Sequence, residues 1–154
     1  MMKGIERFIG ATLKYCLIIF GLATCLPIVV AYNVDLGSRL LFFGLLDYLP
    51  PSVPVLRHWG IMVCGIGVLM IVAAFRPWLR FETMVFSTVE KSFLVFLVIT
   101  SMGEPWGRAY AVAGAMDATI VVYSVLYFIS SYGRPQRWVP TAPTRRWAES
   151  PKGK

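Results

Sequence analysis

Charge is scarce in this chain. Charged residues fill 15% of its 154 positions, against about 25% in an ordinary soluble domain. Acids are the rarer sign, eight against fifteen Lys and Arg. Histidine occurs once, at His58, which excludes bis-His haem ligation within the chain and a His-rich metal site. The three cysteines, Cys16, Cys25 and Cys64, form no CxxC pair and no Cys/His cluster. They read as small apolar residues of buried segments. Gly-rich phosphate loops and Ser–His–Asp spacing are missing, so a nucleotide enzyme or a hydrolase is not expected. The residues point to a non-catalytic protein with no metal and no cofactor of its own.

Apolar sequence is what the chain has in quantity, at 57% of its residues. Two runs, 15–34 and 59–75, hold no charge at all. Each is about long enough to cross a hydrocarbon core of roughly 30 Å. Two more runs are interrupted, one by Glu90 and Lys91, the other by Asp117. The expected fold is therefore all-α, a polytopic membrane protein built as a four-transmembrane-helix bundle. Its spans are predicted at about 8–32, 59–75, 83–103 and 109–131, with a basic, Pro-rich tail at 133–154. The segment 36–49 is apolar but carries Arg39 and Asp47. It is predicted as a short helix lying in the interface, followed by a break at Pro50, Pro51 and Pro54. Pro27 is expected to kink the first span.

The net charge of +7 would suit nucleic acid, but its distribution argues against that. Lys3, Arg7 and Lys14 flank the first span, Arg76 and Arg80 lie between the second and third, and six basic residues follow the fourth. The other two loops hold only Arg39, Arg57 and Arg108. This is the positive-inside pattern, and it predicts both termini in the cytoplasm. The tail is expected to meet anionic lipid rather than nucleic acid. Lys3 and Arg7 before an apolar run also resemble a secretory signal. The chain stays apolar beyond Cys25, so a retained span is the better reading.

Small residues mark where helices meet. Gly60, Cys64 and Gly67 recur at intervals of four and three, on one helical face, and Gly21 and Cys25 form a similar notch. Gly114 lies in an Ala-rich stretch just before Asp117, where close approach is again expected. Arg57, His58 and Trp59 are placed at the interface, at the mouth of the second span.

Glu90, Lys91 and Asp117 form the expected polar centre. An ionised side chain near the bilayer centre costs at least about 2.5–3.5 kcal/mol and rarely faces lipid. Glu90 lies roughly 10 Å in from one end of its span and Asp117 roughly 12 Å in from the other end of its own. That leaves about 8 Å between them along the normal, which a Lys side chain bridges. Lys91–Asp117 is the predicted ion pair. Glu90 points about 100° away from Lys91 around the helix. It is left to seek a hydroxyl, water or a partner chain, and is expected to carry whatever function exceeds packing.

The layout also resembles a family. Arg57-His58-Trp59-Gly60 at the mouth of span two, the exit Ala73 to Pro77, Glu90-Lys91 and Asp117 are similar to small bacterial inner-membrane proteins of DoxX-like architecture. The resemblance covers about residues 8–131. It implies the bacterial cytoplasmic (inner) membrane and no transferable activity. Two functions compete on these grounds. The first is an accessory or assembly subunit of a larger membrane complex, with other membrane subunits or a homo-oligomer as partners. The second is a small oligomeric proton-coupled transporter. A redox enzyme with a borrowed cofactor ranks third.

Overall fold

The computed structural model describes residues 2–131, and among them there is no strand. Helix α1 (Met2–Cys25) is followed by α2 (Ile28–Tyr32) and α3 (Val34–Leu41). Then come α4 (Val53–Phe75), α5 (Arg80–Thr100), α6 (Pro105–Ala109) and α7 (Ala111–Ser131). Four stretches are long and apolar enough to cross a membrane: Gly4–Tyr32, Pro50–Phe75, Pro77–Thr100 and Ala111–Ser131. The tail 133–154 and its lipid-binding role lie outside the described residues.

The prolines set the element ends. Pro27 has no N–H for the Ala23 carbonyl, and the Leu26 N–H takes it instead at 3.2 Å. The first span is thus two helices, α1 and α2, with a tightened turn between them. Pro50 and Pro51 open a 3₁₀ turn, but Pro54 sits inside the first turn of α4. That corrects the expected start at Trp59, because the first helical turn needs no N–H from proline. The third span is likewise earlier than expected. It starts at Arg80 and stops at Thr100, with a turn through Ser101–Gly103 before α6. The fourth begins at Ala111 rather than 109.

The interfacial segment also needs correction. Only Val34–Leu41 is helical, capped by the Asn33 side chain, which accepts from the Leu36 N–H at 3.0 Å. Phe43 and Gly44 then both take positive φ, 54° and 72°. This reversal ends α3 and buries Phe42 and Leu46 beneath it. Asp35 lies in the first turn of α3 and Arg39 in its last, the signs that favour the helix dipole.

The four long helices run up, down, up and down. Helix α1 packs most closely on α4 and α5 on α7, while the α1–α7 and α4–α5 seams are sparser. The first close pair depends on glycine. A Cβ on Gly67 would stand 2.5 Å from the Gly21 carbonyl oxygen, and one on Gly60 2.5 Å from the Pro27 carbonyl oxygen. Lipid tails are as apolar as leucine, so close backbone packing replaces the hydrophobic drive between such helices. The second pair is closed by Gly114 against Val98.

Arg80 ties α5 to α4. Its Nε donates to the Ala73 carbonyl at 3.1 Å and an Nη to the Ala74 carbonyl at 3.0 Å. These are last-turn carbonyls of α4 that the helix leaves unsatisfied. Arg80→Ala is expected to cost roughly 1.5–3 kcal/mol. Arg80→Lys should recover only part, since one ammonium cannot fork over two acceptors. Reversible unfolding in SDS-containing mixed micelles measures both. Equal stability of all three proteins would show that the fork does not hold the turn.

Two apolar clusters fill the bundle at different heights. One joins Leu17, Met70, Ala73, Met84 and Ile120 toward the end that carries the α4–α5 turn. The other joins Val30, Val34, Phe42, Leu46 and Ala109 at the opposite end. The usual distribution of polar and apolar residues inverts in this bundle. Lys91, Asp117, Thr24, Ser87 and Ser124 are buried, while Phe86, Val89, Phe93 and Phe96 are exposed. Apolar outside and polar inside is what hydrocarbon demands of a bundle.

Candidate functional site

The charged residues meet between the two clusters. Lys91 is 1% exposed and its Nζ donates to Asp117 Oδ1 at 2.9 Å. Helix α5 supplies the cation and α7 the anion, so the pair joins the closely packed second hairpin across the Gly114–Val98 contact.

Glu90 departs from its expected placement. Its Oε2 lies 3.4 Å from the same Nζ, so Lys91 serves two carboxylates rather than one. The contact lacks hydrogen-bond geometry, and Oε2 has no hydrogen-bond partner among the described residues. The 100° offset between neighbours on a helix is overcome by side-chain length, because Lys and Glu tips can bend toward one point. Written as ions, the three groups sum to −1. Ser87, one turn before Glu90, donates to Met70 Sδ of α4 at 3.6 Å. Glu90 therefore lies on the flank of α5 turned to the sparse α4–α5 seam.

A cavity of about 120 Å³ opens beside the three charges. All four spans reach it. Thr24 and Pro27 come from the broken first span, Trp59 and Val63 from α4, and Met116 from α7. The break at Pro27 and the sparse seams leave the space. Phe42 lines it and meets its aromatic neighbours at tilted angles. Its ring centroid is 4.6 Å from that of Tyr110 and 6.2 Å from that of Trp59. Tyr48 donates a hydrogen bond to Asp35 in the same outer layer. That bond to a carboxylate holds the Tyr48 hydroxyl above its ordinary pKa of 10.0.

Thr24 is the residue that sequence reasoning missed. It is 1% exposed, lines the cavity, and its hydroxyl has no partner among the described residues. Helical hydroxyls in apolar surroundings ordinarily bond the carbonyl four residues back. Thr88, Thr100, Thr119 and Ser124 do so here. Thr24 does not. Its place one turn before Pro27 was the available signal, since a proline break leaves that turn irregular.

The remaining expected residues divide. Gly60 and Gly67 face α1 and α2, and the Cys64 carbonyl accepts from Cys25 Sγ at 3.6 Å. Trp59 turns into the cavity, but Arg57 and His58 are exposed and do not line it. No group of His, Cys, Asp and Glu able to hold a metal ion occurs among the described residues.

Comparison with protein-family models, with curated proteins and with solved structures found no match. The functional reading is therefore built from geometry.

Proposed function

We propose that the chain is a non-catalytic accessory subunit of a larger membrane complex, seating a transmembrane helix of a partner against the α4–α5 seam. The observation that carries this reading is an open groove of about 570 Å³ at span level, walled by Leu69, Phe81, Val85, Phe86 and Val89, with Glu82 at its edge toward the α4–α5 turn. Phe86 and Val89 are exposed there. A neighbouring helix in the groove would supply packing for the apolar walls. Basic residues near the α4–α5 turn support a cytoplasmic location for this end of the bundle.

A photo-crosslinking side chain at Phe86 or Val89 tests this in native membranes. One defined membrane protein is expected as the adduct, at fixed stoichiometry in native mass spectrometry. Val85→Trp should fill the groove and remove it. The same probe at the exposed Val122 should give none. Adducts with lipid alone would overturn the reading.

An adduct with a second copy would favour the other reading, a small oligomeric proton-coupled transporter. Glu90 beside an internal cavity supports that alternative. Against it stands the apolar cluster of Leu17, Met70 and Ile120, which closes the bundle on one side of the charges.

A further inference from the structure

The closely packed α1–α4 pair carries a charged feature at the end of the bundle that holds the α4–α5 turn. Glycine contacts set the register of this antiparallel pair, with Gly21 against Gly67. About two helical turns farther along, the same register brings Lys14 of α1 opposite Phe75, the last residue of α4. The Lys14 Nζ lies over the Phe75 ring, 4.9 Å from its centroid. An ammonium over an aromatic face is held by the negative face of the ring. Its N–H donors directed away from the ring are left for another acceptor.

Arg76 follows Phe75 directly, and both it and Lys14 are exposed. Neither cation has a carboxylate within salt-bridge distance among the described residues. The open carbonyls at the end of α4 draw on neither, since Ala73 and Ala74 are served by Arg80. Apolar surface begins where these charges end. Val68, Val72 and Phe75 stand at intervals of four and three on one face of α4, and all three are exposed. Arg76 closes the same stripe. The exposed Trp78 follows in the 3₁₀ turn, and an indole there suits headgroup depth. A soluble anion would meet the cations and leave the stripe bare. A phospholipid meets both.

We infer that this flank of the α1–α4 seam is a binding site for an anionic phospholipid. The phosphodiester accepts from Lys14 and Arg76, and one acyl chain lies along Phe75, Val72 and Val68. A zwitterionic lipid carries its own cation beside the phosphate and gains less from the two side chains. The site therefore ranks phosphatidylglycerol above phosphatidylcholine of the same acyl chains.

The experiment uses the whole chain in lipid nanodiscs, with phosphatidylglycerol as a minority in matched phosphatidylcholine. A photo-crosslinking side chain at Val72 reports on lipid in the stripe, and one at the exposed Val122 of α7 reports on bulk lipid. Mass spectrometry of the adducts counts the two headgroups. Phosphatidylglycerol is expected at Val72 at roughly fivefold its share at Val122, the order of one basic residue's attraction to an anionic surface. Lys14→Gln with Arg76→Gln should return Val72 to the bulk share. Lys14→Arg with Arg76→Lys should preserve the enrichment. Glycerophosphoglycerol, the same headgroup without chains, should not compete.

Phe75→Leu keeps the inference falsifiable if loss of both charges disturbs insertion. It retains the cations and the apolar stripe but releases the Lys14 ammonium, so the enrichment should fall part-way. Equal shares at Val72 and Val122, or enrichment unchanged by Phe75→Leu, would each overturn the inference. So would enrichment that survives removal of both cations, which would assign it to the basic tail. Displacement by glycerophosphoglycerol would overturn it in favour of a site for a free phosphodiester. None of these outcomes bears on the α4–α5 groove, whose walls include none of these residues and which the partner crosslinking tests separately.

Discussion

Lys91→Met is expected to destabilise the protein by about 3–5 kcal/mol. The change removes the one ammonium that faces both Asp117, at 2.9 Å, and Glu90, at 3.4 Å. Two carboxylates are then left in the bundle without their cation. Asp117→Leu alone should also be costly, though less so, because Glu90 remains beside Lys91. Adding Asp117→Leu to Lys91→Met should recover part of the loss. Adding Glu90→Gln as well should recover most of the rest, since apolar or neutral replacement of a complete buried ion cluster is often well tolerated. SDS-driven unfolding followed by circular dichroism gives the four stabilities. If the double variant loses as much as the two single losses added together, Lys91 and Asp117 are not coupled. If Glu90→Gln recovers nothing, the 3.4 Å contact carries no energy.

Gly67→Ala should be nearly as damaging, from one methyl group. Its Cβ would meet the Gly21 carbonyl oxygen at 2.5 Å, Cys25 Sγ at 2.7 Å and the Cys25 amide nitrogen at 2.9 Å. Two of these atoms are backbone, so α1 and α4 must move apart. Overpacking of this kind costs typically 1–3 kcal/mol, and Gly67→Leu should exceed that range. Gly65, two residues earlier on the same helix, has nothing within 4 Å. Gly65→Ala should therefore stabilise α4 by roughly 0.5–1 kcal/mol, the ordinary gain from replacing a helical glycine. Opposite signs at these two positions in the same unfolding assay are the expected result. Equal effects would show that the backbones are not in contact.

Much of this architecture was legible in the chain. Apolar run length decides whether a segment can cross hydrocarbon, and that property is local. The number of spans and the all-α class followed from it; a kink was also expected at Pro27, where one missing N–H interrupts the ladder, and there the first span divides into α1 and α2. Helix ends were read less well. Prolines at 50, 51 and 54 looked like breakers, yet Pro54 lies within the first turn of α4, where proline costs nothing. The segment 36–49 was expected to be one interfacial helix, but the positive φ values of Phe43 and Gly44 end it at Leu41 and turn the chain inward. That turn is held by what Phe42 packs against, which no local pattern records.

The polar centre divides in the same way. Depth arithmetic along two helices brought Lys91 within reach of Asp117, because rise per residue and bilayer thickness are general quantities. Neither quantity contains rotation or tilt, and those decide the rest. The side-chain geometry of Glu90 turns its carboxyl back to Lys91, so the centre is a three-membered cluster of two carboxyl groups and one ammonium. Thr24 gave no composition signal at all. That its hydroxyl is buried without a hydrogen-bond partner depends on how the neighbouring helices pack around the break in the first span. The sequence by itself determined that this protein has four membrane-length helices with charge hidden among them, since hydrophobic length and the cost of a buried ion depend on residue type alone. The tertiary structure decided which charges share a partner and where empty space remains, because both depend on how closely glycine lets one pair of helices approach and how far another pair stands apart.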